Sequence, residues 1–318
     1  MKPPYKITTE IIRKITAISE KLGEIKALYL DKTSPHLRKQ NKIKTIHSSL
    51  QIEGNSLTEE QITALLENKR VIGPQKDILE VLNAIKVYDQ LNDFSPFSVD
   101  SFKKAHKILM EGLIEKPGKF RKTGVGIVHG KKIAHIAPPA ENVAYLMHDL
   151  FEYIQKDPDN ILIKSCVFHY EMEFIHPFSD GNGRMGRLWQ SLILMKQYPV
   201  FEFLPFETMI AKNQKDYYGA LMQSDRKGNS TPFIEYMLNL IDFSLSELLK
   251  SNRKKLTANE RLEYLVNLGL QEFSRKDYME IFKDISSATA SRDLKKGVEN
   301  GILKVSGYKN KTKYSLTK

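Results

Sequence analysis

The stretch Glu173-Phe174-Ile175-His176-Pro177-Phe178-Ser179-Asp180-Gly181-Asn182-Gly183-Arg184-Met185-Gly186-Arg187 carries the densest chemistry in the 318-residue chain. His176 precedes a proline in a loop, where an imidazole can serve as a base. Asp180, four residues on, suits a hard cation. Gly181-Asn182-Gly183 is a flexible turn that opens a helix. Helix N-termini expose unpaired N–H groups and partial positive charge, so they hold phosphates, and glycine lets the anion come close. Arg184 and Arg187, three apart, are neighbours on the first helical turns and add planar charge suited to phosphate oxygens. A base, a metal carboxylate, an anion-binding turn and two arginines within twelve residues point to phosphoryl or nucleotidyl chemistry. Each alone is ordinary; a lone loop histidine is usually a packing or surface residue, and Asp-Gly or Asn-Gly an ordinary turn.

Outward from this stretch the chain reads as mainly α. On the N-terminal side, Ile161 to Phe174 is long and apolar, as a central buried helix is; on the C-terminal side, Gly183 to Gln197 carries a stripe of Met185, Leu188, Leu192 and Met195. Ile11, Ile15, Ile18, Leu22 and Ile25 form another stripe, and Ile62, Leu65 and Leu66 a third behind an expected N-cap at Thr58. Further helices are expected over Ile78 to Tyr88, Ala144 to Ile154 and Thr231 to Leu249. Gly124 to Ile136 reads instead as a hairpin turning at Gly130. The polar segment 250–259 reads as a linker, and 260–318 as three helices followed by a small basic hairpin, a winged helix-turn-helix pattern. Its third helix would present Ser287, Thr289 and Arg292.

Composition sets the bounds. With 41% hydrophobic and 27% charged residues the chain can bury a core. No stretch approaches the roughly 18 apolar residues of a membrane span, and Met1-Lys2-Pro3-Pro4-Tyr5 opens without an apolar signal core. The single cysteine, Cys166, excludes an intrachain disulfide and a cysteine-based zinc site. A cytoplasmic location is the expectation. The net charge is +11, of which residues 250–318, with 16 Lys and Arg against 8 Asp and Glu, hold +8. Such asymmetry suits an anionic partner of that segment, DNA among them, or a protein-docking module.

The run His176 to Arg187 resembles the signature of the Fic (Fido) protein adenylyltransferases, HxFx(D/E)GNGRxxR, at all eight specified positions. At roughly 5% usage per residue type, chance gives on the order of one match in 10^10 starting points. The resemblance implies a Fic helical core with a small hairpin flap over 101–249, preceded by an N-terminal helical region, 1–100. It implies transfer of AMP from ATP to a Ser, Thr or Tyr hydroxyl of a target protein and of the enzyme itself. Carried over, His176 is the general base, and Asp180 holds Mg²⁺. Gly181, Asn182, Gly183, Met185 and Gly186 belong to the nucleotide loop, while Arg184 and Arg187 meet the β- and γ-phosphates. Phe178 anchors the loop.

Ser49-Leu50-Gln51-Ile52-Glu53-Gly54 matches the family's inhibitory pattern, (S/T)xxxE(G/N). By resemblance Glu53 pairs with Arg187 and denies it to the γ-phosphate, with Ser49 on the same helix. The hairpin corresponds to the flap that registers the target by strand addition, with Ile133, Ala134, His135 and Ile136 at its edge. Tyr217 and Tyr218 resemble a pair lining the adenine side; Asp225 stands where some relatives have asparagine. The resemblance leaves room for a homodimer. Alternatives are transfer of another group, removal of AMP with Glu53 positioning a water, and a DNA-binding regulator whose core senses nucleotide.

Overall fold

The computed structural model describes residues 2–27, 35–129, 132–252, 257–270, 272–282, 285–308 and 312–317. The elements, in chain order, are α1 (Thr9–Ala27), α2 (Pro35–Ile52), α3 (Glu59–Leu66), α4 (Gln75–Asp89), α5 (Val99–Leu109), β1 (Gly126–His129), β2 (Lys132–Ile136), α6 (Val143–Lys156), α7 (Ile161–Ile175), α8 (Asn182–Met195), α9 (Glu207–Lys212), α10 (Gln214–Lys227), α11 (Thr231–Asn252), α12 (Ala258–Leu268), α13 (Arg275–Ile281), α14 (Ser287–Glu299), β3 (Leu303–Ser306) and β4 (Lys313–Leu316). The fold is mainly helical, as expected. Gly130 at the expected hairpin turn, residues 253–256 of the expected linker and residues 309–311 of the basic turn lie outside the described residues. The chain divides into two compact units, one of residues 1–24 and 39–246, the other of 25–38 and 247–318.

The larger unit is organised around α7. Its apolar residues lie all round rather than on one stripe, and Leu162, Ile163, Cys166, Val167, Phe168, Tyr170, Met172 and Ile175 are all buried. Asn160 starts the helix by accepting the Leu162 N–H (2.9 Å). α7 packs against α6 and, through a short loop, against α8. Phe102, Phe151, Phe168, Phe178 and Trp189 meet in an aromatic centre beneath that loop, with Phe102 at 5.0 Å from Trp189 and 5.3 Å from Phe178. Trp189 donates its indole N–H to the Pro96 carbonyl (2.9 Å).

Two entry signals work as read. Thr58 caps α3 in a reciprocal box with Gln61, and on α1 Ile11, Ile18, Leu22 and Ile25 are buried. The hairpin β1–β2 is antiparallel, pairing Ile127 with His135 and Val128 with Ile133 across a bulge that raises its local twist.

The smaller unit has its own core of Leu262, Leu265, Phe273, Tyr278, Phe282, Ala290, Leu294 and Leu303. Capping boxes at Thr257/Glu260 and Ser274/Asp277 start α12 and α13. The buried Asp293 carboxylate accepts from Arg261 Nε (2.7 Å) and Tyr278 Oη (3.1 Å), so α12, α13 and α14 share one ionic contact. A Cβ on Gly297 would fall 2.7 Å from Leu303 and 2.8 Å from Leu262, so α14 seats closely against both and a larger residue there would displace those side-chain ends. β3 pairs with β4 from Leu303↔Leu316 to Ser306↔Lys313. Among the described residues no helix is long and apolar enough to cross a membrane.

Candidate active site

The loop between α7 and α8 is built by side chains that do no chemistry. His176 caps α7 in the left-handed region (φ 49, ψ 62), which is uncommon for a residue with a Cβ. Its N–H donates to the Met172 carbonyl (3.0 Å) and its carbonyl accepts from Arg121 Nε (2.7 Å). Phe178 is fully buried and stacks on His106, centroids 3.5 Å apart at 7°, which bears out its anchoring position. Asn182 closes the loop from inside: its Oδ1 accepts the Phe178 N–H and its Nδ2 donates to the Phe178 carbonyl, both at 2.9 Å. That amide was expected to face the anion together with the backbone. In the structure it is held by the loop, where it satisfies a buried main-chain pair at Phe178.

His106 supports the turn from below. Gly118 donates its N–H to His106 Nδ1 (2.8 Å), so the ring proton sits on Nε2 and is donated to the Asp180 carbonyl (2.9 Å). Burial lowers the His106 pKa to about 4, against a smaller raising contribution from that carbonyl, so the ring stays neutral. Gly181 has φ +82, and a Cβ there would lie 2.7 Å from Met110 Sδ, so the turn requires glycine on both counts. The first i→i−4 bond of α8 runs from Met185 N to the Gly181 carbonyl (3.0 Å), ahead of which the N–H groups of Asn182, Gly183 and Arg184 form the helix opening.

Both signature arginines are buried and engaged. Arg184 donates from Nη1 to Glu80 Oε1 (3.1 Å) and from Nη2 to Asp180 Oδ1 (3.3 Å). Glu80 in turn accepts from Asn55 Nδ2 (2.9 Å), just beyond the end of α2. Arg187, 1% exposed, donates to Ser49 Oγ (3.1 Å), to the Ser49 carbonyl (2.9 Å) and to Glu53 Oε1 (2.8 Å). Glu53 Oε1 also lies 2.5 Å from where a Cβ of Gly183 would be. The carboxylate therefore rests beside Gly183, in the first turn of α8. The backbone turn Glu53-Gly54-Asn55 that ends α2, with Gly54 at φ +90, aims it there.

Two further carboxyls surround Arg187. Burial raises Glu173 to about 7, with Arg187 opposing and Glu53 reinforcing the shift. Glu207 at the start of α9 is fully buried, and burial pushes it up to about 8 with only partial relief from Arg187. Among the described residues neither Glu207 oxygen has a hydrogen-bond partner. The folded chain keeps this proton to about pH 8, whereas an unperturbed glutamate releases it near 4.5. Stability therefore falls as pH rises across that window. Glu207→Gln is expected to be neutral at pH 5 and stabilising at pH 8, gaining up to about 1.4 kcal/mol per pH unit in between. Urea midpoints of both proteins at the two pH values check this; an equal difference at pH 5 and 8 contradicts it.

Tyr217 is buried, and its hydroxyl donates to His169 Nε2 (3.0 Å); His169 donates from Nδ1 to Gln190 Oε1 (2.6 Å). Tyr218 is half-buried, its ring 5.2 Å from that of Tyr217. Asp225 accepts from Tyr170 Oη (2.9 Å). The Met185 side chain is wholly in the core, and Gly186 lets α8 pass His169, to which a Cβ would come within 2.8 Å. For Ile133, Ala134, His135 and Ile136 the backbone of β2 is described. Sequence reading singled out neither Glu80, His106, Arg121 nor Glu207. Glu80 meets Arg184 104 residues on, His106 meets Gly118 and Asp180 12 and 74 residues on, and Arg121 meets His176 55 residues on, so no local pattern marks them.

A histidine at the end of α7, a half-exposed carboxylate, a helix opening and two buried arginines thus lie within twelve residues around the α7–α8 turn. Residues 96–194 match the Fic/DOC family. A crystal structure of a Fic family protein from Desulfovibrio desulfuricans G20 is 37% identical, covers 100% of this chain and 98% of that one, and has a TM-score of 0.77. The chain belongs to the Fic family. Among curated relatives, "Protein adenylyltransferase Fic" of Nematostella vectensis is 26% identical over 237 residues, 70% of this chain and 52% of that one. The protein of the same name in Drosophila grimshawi is 25% identical over 248 residues, 73% of this chain and 48% of that one. The chain spans about half the length of the curated relatives it matches.

Proposed function

We propose that the protein is a protein adenylyltransferase held inactive by its own α2. The observation that carries this is the ion pair between Glu53 and buried Arg187 against Gly183, at the opening of α8. With Glu53 withdrawn, the α8 opening and the two arginines receive the phosphates of ATP. His176 takes the proton of a Ser, Thr or Tyr hydroxyl on the acceptor. The hydroxyl oxygen bonds to the α-phosphorus, the bond to the β-phosphate oxygen breaks, and pyrophosphate leaves. Asp180 fits a magnesium ion: its side chain is 52% exposed at the mouth of the turn, and such hard oxygens join phosphate oxygens around that metal. Bound there, Mg²⁺ would neutralise phosphate charge. The edge of β2, Ile133 to Ile136, takes the acceptor's chain by strand addition.

The test is incubation of the Glu53→Gly variant with Mg²⁺ and α-labelled ATP, followed by mass spectrometry of the protein and of added cell extract. Peptides heavier by one AMP are expected, and the label should vanish with Asp180→Ala. Label appearing from γ-labelled but not α-labelled ATP would replace this reading by phosphate transfer.

For the smaller unit we propose DNA binding by α14. Its exposed face carries Ser287, Arg292, Lys295 and Lys296, while Ala290, Asp293, Leu294 and Gly297 face the core. Charge of this kind steers the chain to phosphates. Retardation of a labelled duplex by residues 1–318, lost in Arg292→Glu, is the expected result.

A further inference from the structure

Arg121 lies between α5 and β1, is 6% exposed, and makes an unusual set of contacts. Its Nε donates to the His176 carbonyl (2.7 Å), its Nη1 to the Thr123 carbonyl (2.8 Å), and its Nη2 to the carbonyls of Pro138 (2.5 Å) and Ile175 (3.2 Å). Its own backbone N–H donates to the Pro177 carbonyl (2.9 Å). Every one of these acceptors is a main-chain oxygen. A buried guanidinium ordinarily sits beside a carboxylate; this one is balanced by peptide dipoles, among them the negative end of α7.

The identity of the acceptors gives the contact set its meaning. Ile175, His176 and Pro177 are the segment that carries the base. Thr123 and Pro138 are the two roots of the β1–β2 hairpin, outside Gly126 and Ile136 and closed by the Ala137 N–H on the Val125 carbonyl (3.3 Å). None of the contacts goes to residues 180–187, where the phosphates would lie. One planar fork thus spans the His176 segment and both roots of the hairpin, which no point-charge side chain can do.

We infer that Arg121 is a positioning residue that fixes the acceptor-docking hairpin and the His176 segment to one another, setting the approach of the acceptor hydroxyl to the imidazole. The inference rests on the adenylyltransferase reading for its kinetic consequence and on the geometry alone for the coupling. Misplacement of reacting groups by about 1 Å is enough to slow a reaction on the order of 100-fold.

The experiment uses the full chain in the Glu53→Gly background, with Arg121→Lys, which keeps charge and stem, and Arg121→Met, which keeps volume. Binding of magnesium with a non-hydrolysable ATP analogue is measured by calorimetry, AMP incorporation as an initial rate, and backbone motion by hydrogen exchange. Expected are analogue affinity within about threefold of the parent, incorporation at least about 30-fold slower, and faster exchange at both Ala137 and His176 with α8 unchanged. A variant that incorporates AMP at the parental rate, one whose analogue affinity falls in step with the rate, or one in which exchange rises at only one of the two segments overturns the proposal. A parent that transfers no AMP overturns the adenylyltransferase reading instead, and the paired exchange at Ala137 and His176 still decides the coupling.

Discussion

Glu53→Gly is expected to raise the initial rate of AMP incorporation by about 30-fold or more. The reason is local. In the resting protein the Arg187 guanidinium spends its donors on Ser49 and Glu53, and the Glu53 carboxylate stands against the Gly183 position. On the proposed reading, removing that carboxylate would free a charge-assisted contact for phosphate, each such bond being worth about 1.5–3 kcal/mol, and would take a like charge away from the triphosphate. The fold should tolerate the change. Arg187 keeps both Ser49 oxygens, and Glu173 and Glu207 remain close enough to act on its charge. Equal labelling of variant and parent would show that Glu53 does not restrain the reaction.

His176→Ala is expected to cut transfer by about 10²- to 10⁴-fold, the usual contribution of a general base, while nucleotide affinity stays near that of the parent. The residue sits at φ 49, where an ordinary L-residue costs about 1–2 kcal/mol, so alanine adds backbone strain to the lost base. His176→Asn separates the two effects, because asparagine tolerates the left-handed region yet supplies no base. Both variants should be equally inactive, and the asparagine form should melt nearer the parent. An active His176→Asn would remove the imidazole from the reaction.

Much of the larger unit was legible in advance because its helices advertise themselves. The stripe on α1 and the capping box at Thr58 work as read, and the apolar density of α7 matches its burial on all sides. α2 gave no such signal. Ile43, Ile46 and Leu50 are buried, but so are Asn41, Thr45, Ser48 and Ser49, so apolar spacing alone does not outline the helix. Only its end, Ser49 to Gly54, was picked out, through the inhibitory pattern. The polar burial is what lets α2 serve Arg187, and the same property hides it from a hydrophobicity reading. Asn182 shows the reverse case. The resemblance placed it in the nucleotide loop, and its reciprocal bonds to Phe178, which no local pattern announces, make the side chain a brace for that loop.

What the amino-acid sequence by itself determined is the membership of the signature: a histidine, a carboxylate, a glycine turn and two arginines stand within twelve residues, and nearness along a chain survives any fold. It determined too that a carboxylate pattern at Glu53 accompanies them. Only the tertiary structure decided that Glu53 meets Arg187 across 134 positions of chain, that Glu80 takes Arg184 across 104, and that Arg121 reaches His176 across 55. Those pairings depend on how α2, α4, the α7–α8 loop and the start of α8 pack together, and packing is set by shape and burial summed over the whole core rather than by any local run of residues.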